Sequence, residues 1–351
     1  MPARLLLTVL VVTLAATLGN ARAHVDWFHQ ETPGFLELAP LLQPGPLLVL
    51  ATTLGLTIGA GILWLAGRRR AIPGPAALGA PPERRAALYG VIPAMLALHL
   101  AVPLLVGAVQ GRLFAPHLEL SGGWPYLLGL LQIGIALALF YGALARLAAF
   151  ALVLLWTAGL FLAGIEAMLE NAHYLGLALF FLLAGRGPLA VDRLILPGLE
   201  PPERLMRLAP LAARVALGLS LIVLAFTEKL ARLGYAASFL EIHPLNFTPA
   251  LGIPLPDQTF VLLAGATELL VGLWLLLGLF TREIIVFAWF PLNLTLTVFA
   301  WEELIWHLPI YGLMALYLLW EETAENRRLW LQGLREGPLA LAPARSPRSS
   351  A

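Results

Sequence analysis

Apolar runs of about twenty residues, parted by short basic or proline-rich connections, recur along this chain from Gly45 to Glu321. A run of that length and composition satisfies its backbone inside a bilayer only as a helix, since lipid offers no hydrogen bonds. Ten-residue segments alternating apolar and polar, the mark of a membrane barrel, do not occur. Hydrophobic residues make up 60% of the 351 and charged residues only 12%, with a mean hydropathy of +0.83. An ordinary soluble domain carries roughly 25% charged residues, so a soluble globular fold is excluded. The bilayer is the first partner implied. A net charge of +1 points to neither nucleic acid nor an acidic partner. The absence of cysteine removes disulfides, thiolate metal sites and cysteine nucleophiles.

Arg4, the apolar stretch from Leu5 to Leu18 and Ala21-Arg22-Ala23 have the order of a signal peptide, residues 1–23. Cleavage after Ala23 makes His24 the first mature residue; the alternative is an uncleaved first helix. Nine helices are then expected, at about 45–66, 88–109, 124–145, 147–167, 171–186, 213–233, 259–280, 283–301 and 305–321. Arginines occupy every second connection: Arg68, Arg69, Arg70, Arg84 and Arg85, then Arg146, then Arg186, Arg193, Arg204 and Arg207, then Arg282, and finally Arg327 and Arg328. Only Arg112, Lys229 and Arg232 fall on the other side. The positive-inside rule therefore puts the mature N-terminus in the periplasm and the C-terminus in the cytoplasm of a bacterial-type inner membrane. The predicted division is 24–84 for a periplasmic segment, the first span and a cytoplasmic loop, 85–186 for a first four-helix unit, 187–212 for a proline-rich cytoplasmic linker, 213–321 for a second unit, and 322–351 for a cytoplasmic tail that is disordered from Arg335.

The two units rest on an internal repeat. At a shift of 136 residues Gly129 meets Gly265, Gly142 meets Gly278, Arg146 meets Arg282, Glu166 meets Glu302 and Gly176 meets Gly312, while Gln132 falls on Glu268. Upstream, Arg85-Ala86-Ala87-Leu88 aligns with Arg214-Val215-Ala216-Leu217, and His99 falls on Glu228. An even number of helices per unit keeps the orientation and implies a pseudo-two-fold axis along the membrane normal.

The second unit resembles the DoxX/DoxD family of four-helix membrane proteins. The likeness lies in Arg214-Val215-Ala216-Leu217-Gly218, Glu228-Lys229-Leu230, Phe239 and Pro244, Gly265-Ala266-Thr267-Glu268-Leu269-Leu270-Val271-Gly272, Leu277-Gly278-Leu279-Phe280-Thr281-Arg282, His307 and Tyr311-Gly312. The first unit is a more diverged copy without the Glu-Lys pair. The resemblance implies an all-α polytopic membrane protein, two tandem DoxX-like bundles after the signal. It also implies a broad range of roles, including subunits of quinone-linked membrane redox complexes.

Ionisable residues inside a bilayer are functional candidates. Glu268, Glu228 and Lys229 are the candidate catalytic set, handling protons or a quinone ring, unless they form an ion pair that only orients the bundle. Lys229 is the only lysine in the chain. His99, between Pro93 and Pro103, is a candidate cofactor contact or a buried, hydrogen-bonded histidine. His24, His29, His117, His173, His243 and His307 all fall on the periplasmic side of the expected topology. Glu166, Glu170 and His173 are spaced to share a helix face, as are Glu303 and His307. Carboxylates and imidazoles at such spacing hold metals in helical bundles, and an N-terminal His24 with a second histidine suits copper. Read alone, each is a polar interfacial residue. Three readings follow: a redox subunit passing electrons from a periplasmic donor to quinone, a transition-metal binding or transport module, or a scaffold without chemistry.

Overall fold

In the computed structural model, residues 36, 38–67, 71–196, 198 and 200–340 are described. The expected signal segment, His24 and His29 lie outside them. The described chain is helical, without strands: α1 (Pro44–Leu65), α2 (Pro82–Gln110), α3 (Trp124–Tyr141), α4 (Ala145–Leu162), α5 (Ile165–Glu170), α6 (Ala172–Ala184), α7 (Ala209–Leu224), α8 (Leu233–Ile242), α9 (Asp257–Leu277), α10 (Thr281–Leu319) and α11 (Ala324–Ala340). Seven helical stretches among the described residues are long and apolar enough to cross a membrane. This is an α-helical membrane protein.

Two expected spans differ in form. α6 has 13 residues, about 20 Å of helix, against a hydrocarbon core of about 30 Å. It tolerates the shortfall because protein covers it: Tyr174, Leu177, Ala178, Phe180 and Phe181 are fully buried. α10 runs to 39 residues, roughly 58 Å if straight, nearly twice the core thickness. It breaks at Ala300, whose φ of 51° and ψ of −126° are not helical. The segments on either side each fit one crossing.

Backbone features recur at the spacing of the sequence repeat. Gly142 and Gly278 end α3 and α9 in the left-handed region, at φ 69° and 74°. Leu144 and Phe280, also left-handed, follow two residues later. Gly164 at φ 91° breaks the chain between α4 and α5 where Ala300 breaks α10. The Arg146 Nε–H donates to Leu182 O at 3.1 Å, and Arg282 Nε–H to Leu318 O at 2.7 Å. Each arginine thus ties the start of one helical segment to the end of a segment beyond the following break, at Gly164 or at Ala300.

The packing is reciprocal too. A Cβ at Gly176 of α6 would press on Ala213 and Ala216 of α7, and one at Gly312 of α10 on Leu96 and His99 of α2. Arg232 pairs with Glu166, and Arg112 with Glu302 at 3.5 Å. Each half therefore sends an arginine to a glutamate of the other.

At the arginine-rich end, residues 324–340 of the expected tail form a helix. α11 buries Leu329, Trp330, Leu331 and Leu334, and Gly333 lets it meet the backbone of Ala86 and Gly90. Trp330 Nε1–H donates to Met206 O at 2.9 Å, and its ring joins Tyr89, Phe180 and Trp320. Arg335, where disorder was expected to begin, pairs with Glu203 at 2.7 Å. The sparse apolar residues of this stretch share one face and find α2, which composition alone hides. Trp330→Ala should cost about 3–5 kcal/mol, read as a lower melting temperature in detergent.

Candidate functional site

α7 continues into a single π-helical turn, Ala225–Leu230. Such turns insert one extra residue and re-aim the side chains around it. This one carries Thr227, Glu228 and Lys229, with Glu228 1% exposed. The Lys229 ammonium donates to Glu228 Oε2 at 2.7 Å and to Glu268 Oε1 of α9 at 2.9 Å. Gly265, one turn before Glu268, makes room for the stem of Lys229 and for Leu230, which a Cβ there would meet at 3.2 and 2.9 Å.

A second acid belongs to the same neighbourhood. Glu303 of α10 is 5% exposed, and its Oε1 lies 3.1 Å from Nδ1 of the buried His307. Thr295 hydrogen-bonds this carboxylate and Lys229 acts on it electrostatically. The i, i+4 spacing shows that Glu303 and His307 share a face. It does not show that the face turns to Lys229, because that depends on the break at Ala300. Glu303 is thus a functional candidate that the sequence placed only in the periplasmic set.

With both carboxylates ionised, the Glu228–Lys229–Glu268 trio carries one negative charge more than it can compensate. Buried charge is costly unless paired. A cleft of about 390 Å³ opens beside the trio, lined by Pro40, Gln43, Leu230, Arg232, Tyr235 and Gln258 among others. Its wall at Leu230 is the residue after Lys229.

The other sequence candidates are dispersed. Both oxygens of Glu166 are taken by Arg232. His243 packs between Phe239 and Phe299, ring centroids 4.8 and 5.0 Å away. His117 is buried in the loop between α2 and α3. His99 Nδ1 lies 2.8 Å from Met95 O, one helical turn back, and its ring backs onto Gly312, which is a packing role. Gln132, at the repeat position of Glu268, is fully buried and donates to Arg112 O at 3.0 Å. Glu170 and His173 are buried where α5 and α6 meet α7. Among the described residues, no group of three or more histidines and carboxylates is arranged to hold a metal ion.

Residues 209–301 match the DoxX family model. Over that stretch the chain is similar to the DoxX family. The match opens at the first residue of α7 and ends one residue past the break in α10. The matched stretch thus holds Glu228, Lys229 and Glu268, while Glu303 and His307 follow it. No curated protein and no solved structure matches the chain.

Proposed function

We propose that this DoxX protein is a membrane subunit that couples proton transfer to quinone chemistry, passing reducing equivalents from a periplasmic donor to the quinone pool. The observation that carries the reading is the sole lysine of the chain set between two carboxylates inside the membrane-spanning bundle. Reduction of a quinone needs two protons beside its two electrons, and a Glu–Lys–Glu trio with one surplus negative charge stores and delivers a proton. The cleft ending at Leu230 gives a quinone ring access, with the Gln43 and Gln258 amides available to its oxygens. The DoxX/DoxD resemblance includes quinone-linked subunits and supports the same reading. The repeated caps, arginine ties and reciprocal ion pairs support two DoxX-like units, with chemistry retained in the second, where Glu268 stands in place of Gln132. The arginine-rich end faces the cytoplasm in this proposal, under the positive-inside rule.

The test is binding of a short-chain quinone to the detergent-purified protein, followed by tryptophan fluorescence. Saturable binding is expected, and Glu268→Gln should weaken it by about tenfold to a hundredfold, the worth of one hydrogen bond to a charged group. The melting temperature should stay near that of the parent. Absence of saturable binding by the parent protein would remove the quinone reading and leave the scaffold role.

A further inference from the structure

The first half holds a basic pocket at the arginine-rich end, and every residue lining it lies outside the stretch 209–301. Its volume is about 170 Å³, far above the roughly 10–15 Å³ that admits one water. Arg146, at the start of α4, and Arg186, just past α6, share it with Arg193. Arg186 is 9% exposed, and a Cβ at Gly142 would meet its Cγ at 2.7 Å, so the glycine leaves room for its stem. Its Nε–H donates to Leu139 O at 2.8 Å and its Nη2–H to Phe140 O at 2.9 Å. Nη1 is buried with no hydrogen-bond partner among the described residues. Arg146 spends one donor, on Leu182 O. Among the described residues neither guanidinium pairs with a carboxylate, and the two acids of the pocket are engaged elsewhere. Asp192 takes the N–H groups of Leu144 and Ala145, and Glu200 lies 3.3 Å from Arg193 Nε.

The second half fills the equivalent place with its own acids. At the shift of 136 residues Gly185 and Arg186 fall on Glu321 and Glu322. There Arg282 Nη1 meets Glu321 Oε1 at 2.8 Å, and Glu322 lies 3.9 Å from Arg214. The first half keeps the arginine, drops the carboxylate and adds a second, buried guanidinium. Leu144, Leu147 and Leu196 line the same pocket and are exposed, which sets apolar surface beside the two charges. We propose that this pocket binds the phosphate of an anionic phospholipid between Arg146 and Arg186, with the lipid's apolar part on Leu144, Leu147 and Leu196. The phosphate then takes the place that Glu321 fills beside Arg282. Guanidinium groups hold phosphate through charge-assisted, two-pronged hydrogen bonds, and basic pockets between spans suit anionic headgroups. Arginines that serve topology alone need neither a pocket nor burial, since the positive-inside rule counts charges in connections.

The test is native mass spectrometry of the full-length, delipidated protein in detergent, titrated with phosphatidylglycerol and, as the zwitterionic control, phosphatidylcholine. Phosphatidylglycerol should bind about tenfold more tightly or better, as two arginines beside an anionic lipid give. Arg146→Gln and Arg186→Gln should each weaken it about tenfold, the worth of one hydrogen bond to a charged group. Glutamine retains an N–H for the helix-end carbonyl. Arg84→Gln, at an exposed arginine of the same end, should leave the affinity unchanged. Inorganic phosphate at millimolar concentration should not displace the lipid. Equal binding of the two lipids, or a preference untouched by Arg146→Gln and Arg186→Gln, overturns the site. Displacement by inorganic phosphate assigns the pocket to a soluble anion and overturns the lipid. The lipid comparison and the phosphate competition use the parent protein, so they decide the matter even where Arg186→Gln, which removes a tie to the end of α3, fails to fold.

Discussion

Replacing Lys229 with methionine should be among the most damaging single changes to this protein, costing about 3–5 kcal/mol of stability. Methionine keeps the length and apolar bulk of the stem that packs on Gly265, so the cavity contribution is small. What is lost is the ammonium between Glu228 and Glu268. Glu228, 1% exposed, would be left a buried carboxylate without that ammonium. The double variant Lys229→Met with Glu228→Gln removes the stranded charge and should regain most of the lost stability. Thermal unfolding in one detergent, following helicity for the three proteins, checks both statements. A single variant as stable as the parent would mean that the pair is solvated rather than buried.

The second large effect concerns the crossing of α7 and α9, which brings Glu228 and Glu268 to the same lysine. Gly218 and Gly272 face one another there with no side chain between the backbones. A Cβ at Gly218 would lie 2.7 Å from Leu276 N and 2.8 Å from Gly272 O, and one at Gly272 would lie 2.8 Å from Gly218 O. These neighbours are main chain and cannot swing aside. Association of helices in lipid depends on such close approach, since apolar side chains gain nothing by leaving lipid tails. Gly218→Leu forces the helices apart. Overpacking usually costs about 1–3 kcal/mol and sometimes more, and the loss here should reach or exceed the upper figure because both contacts are backbone. Gly218→Ala should show a smaller loss of the same sign. Thermal unfolding in detergent checks the order: the melting temperature should fall clearly with Gly218→Leu and less with Gly218→Ala, and a Gly218→Leu protein as stable as the parent would contradict the close crossing.

The spans were legible because lipid imposes a length and a composition on any helix that crosses it. The caps at Gly142 and Gly278 were legible as rare residues in register, and the structure gives the reason: both end a helix with positive φ. The break in α10 was not, since an alanine carries no signal for a left-handed conformation and the expected gap fell three residues further on. α11 was missed because its few apolar residues are diluted by charge, so that only the presence of α2 makes the face visible. At the site, the sequence placed Glu228, Lys229 and Glu268 in the membrane. The π turn that sets Glu228 and Lys229 together on Glu268 has no composition of its own. Glu303 joined the group only through the tertiary position of α10. Among the described residues, the histidines and carboxylates collected by sidedness form no group of three or more that could hold a metal ion, because a shared end of a bundle is far wider than a metal's coordination shell.

The central claim is that the Glu228–Lys229–Glu268 trio holds a proton that quinone chemistry uses. Redox-induced infrared difference spectroscopy on the purified protein with a bound short-chain quinone tests it directly. A protonated-carboxyl band is expected that changes when the quinone is reduced and is lost in Glu268→Gln or in Glu228→Gln. A difference spectrum without a carboxyl band, or with one indifferent to both substitutions, would contradict it.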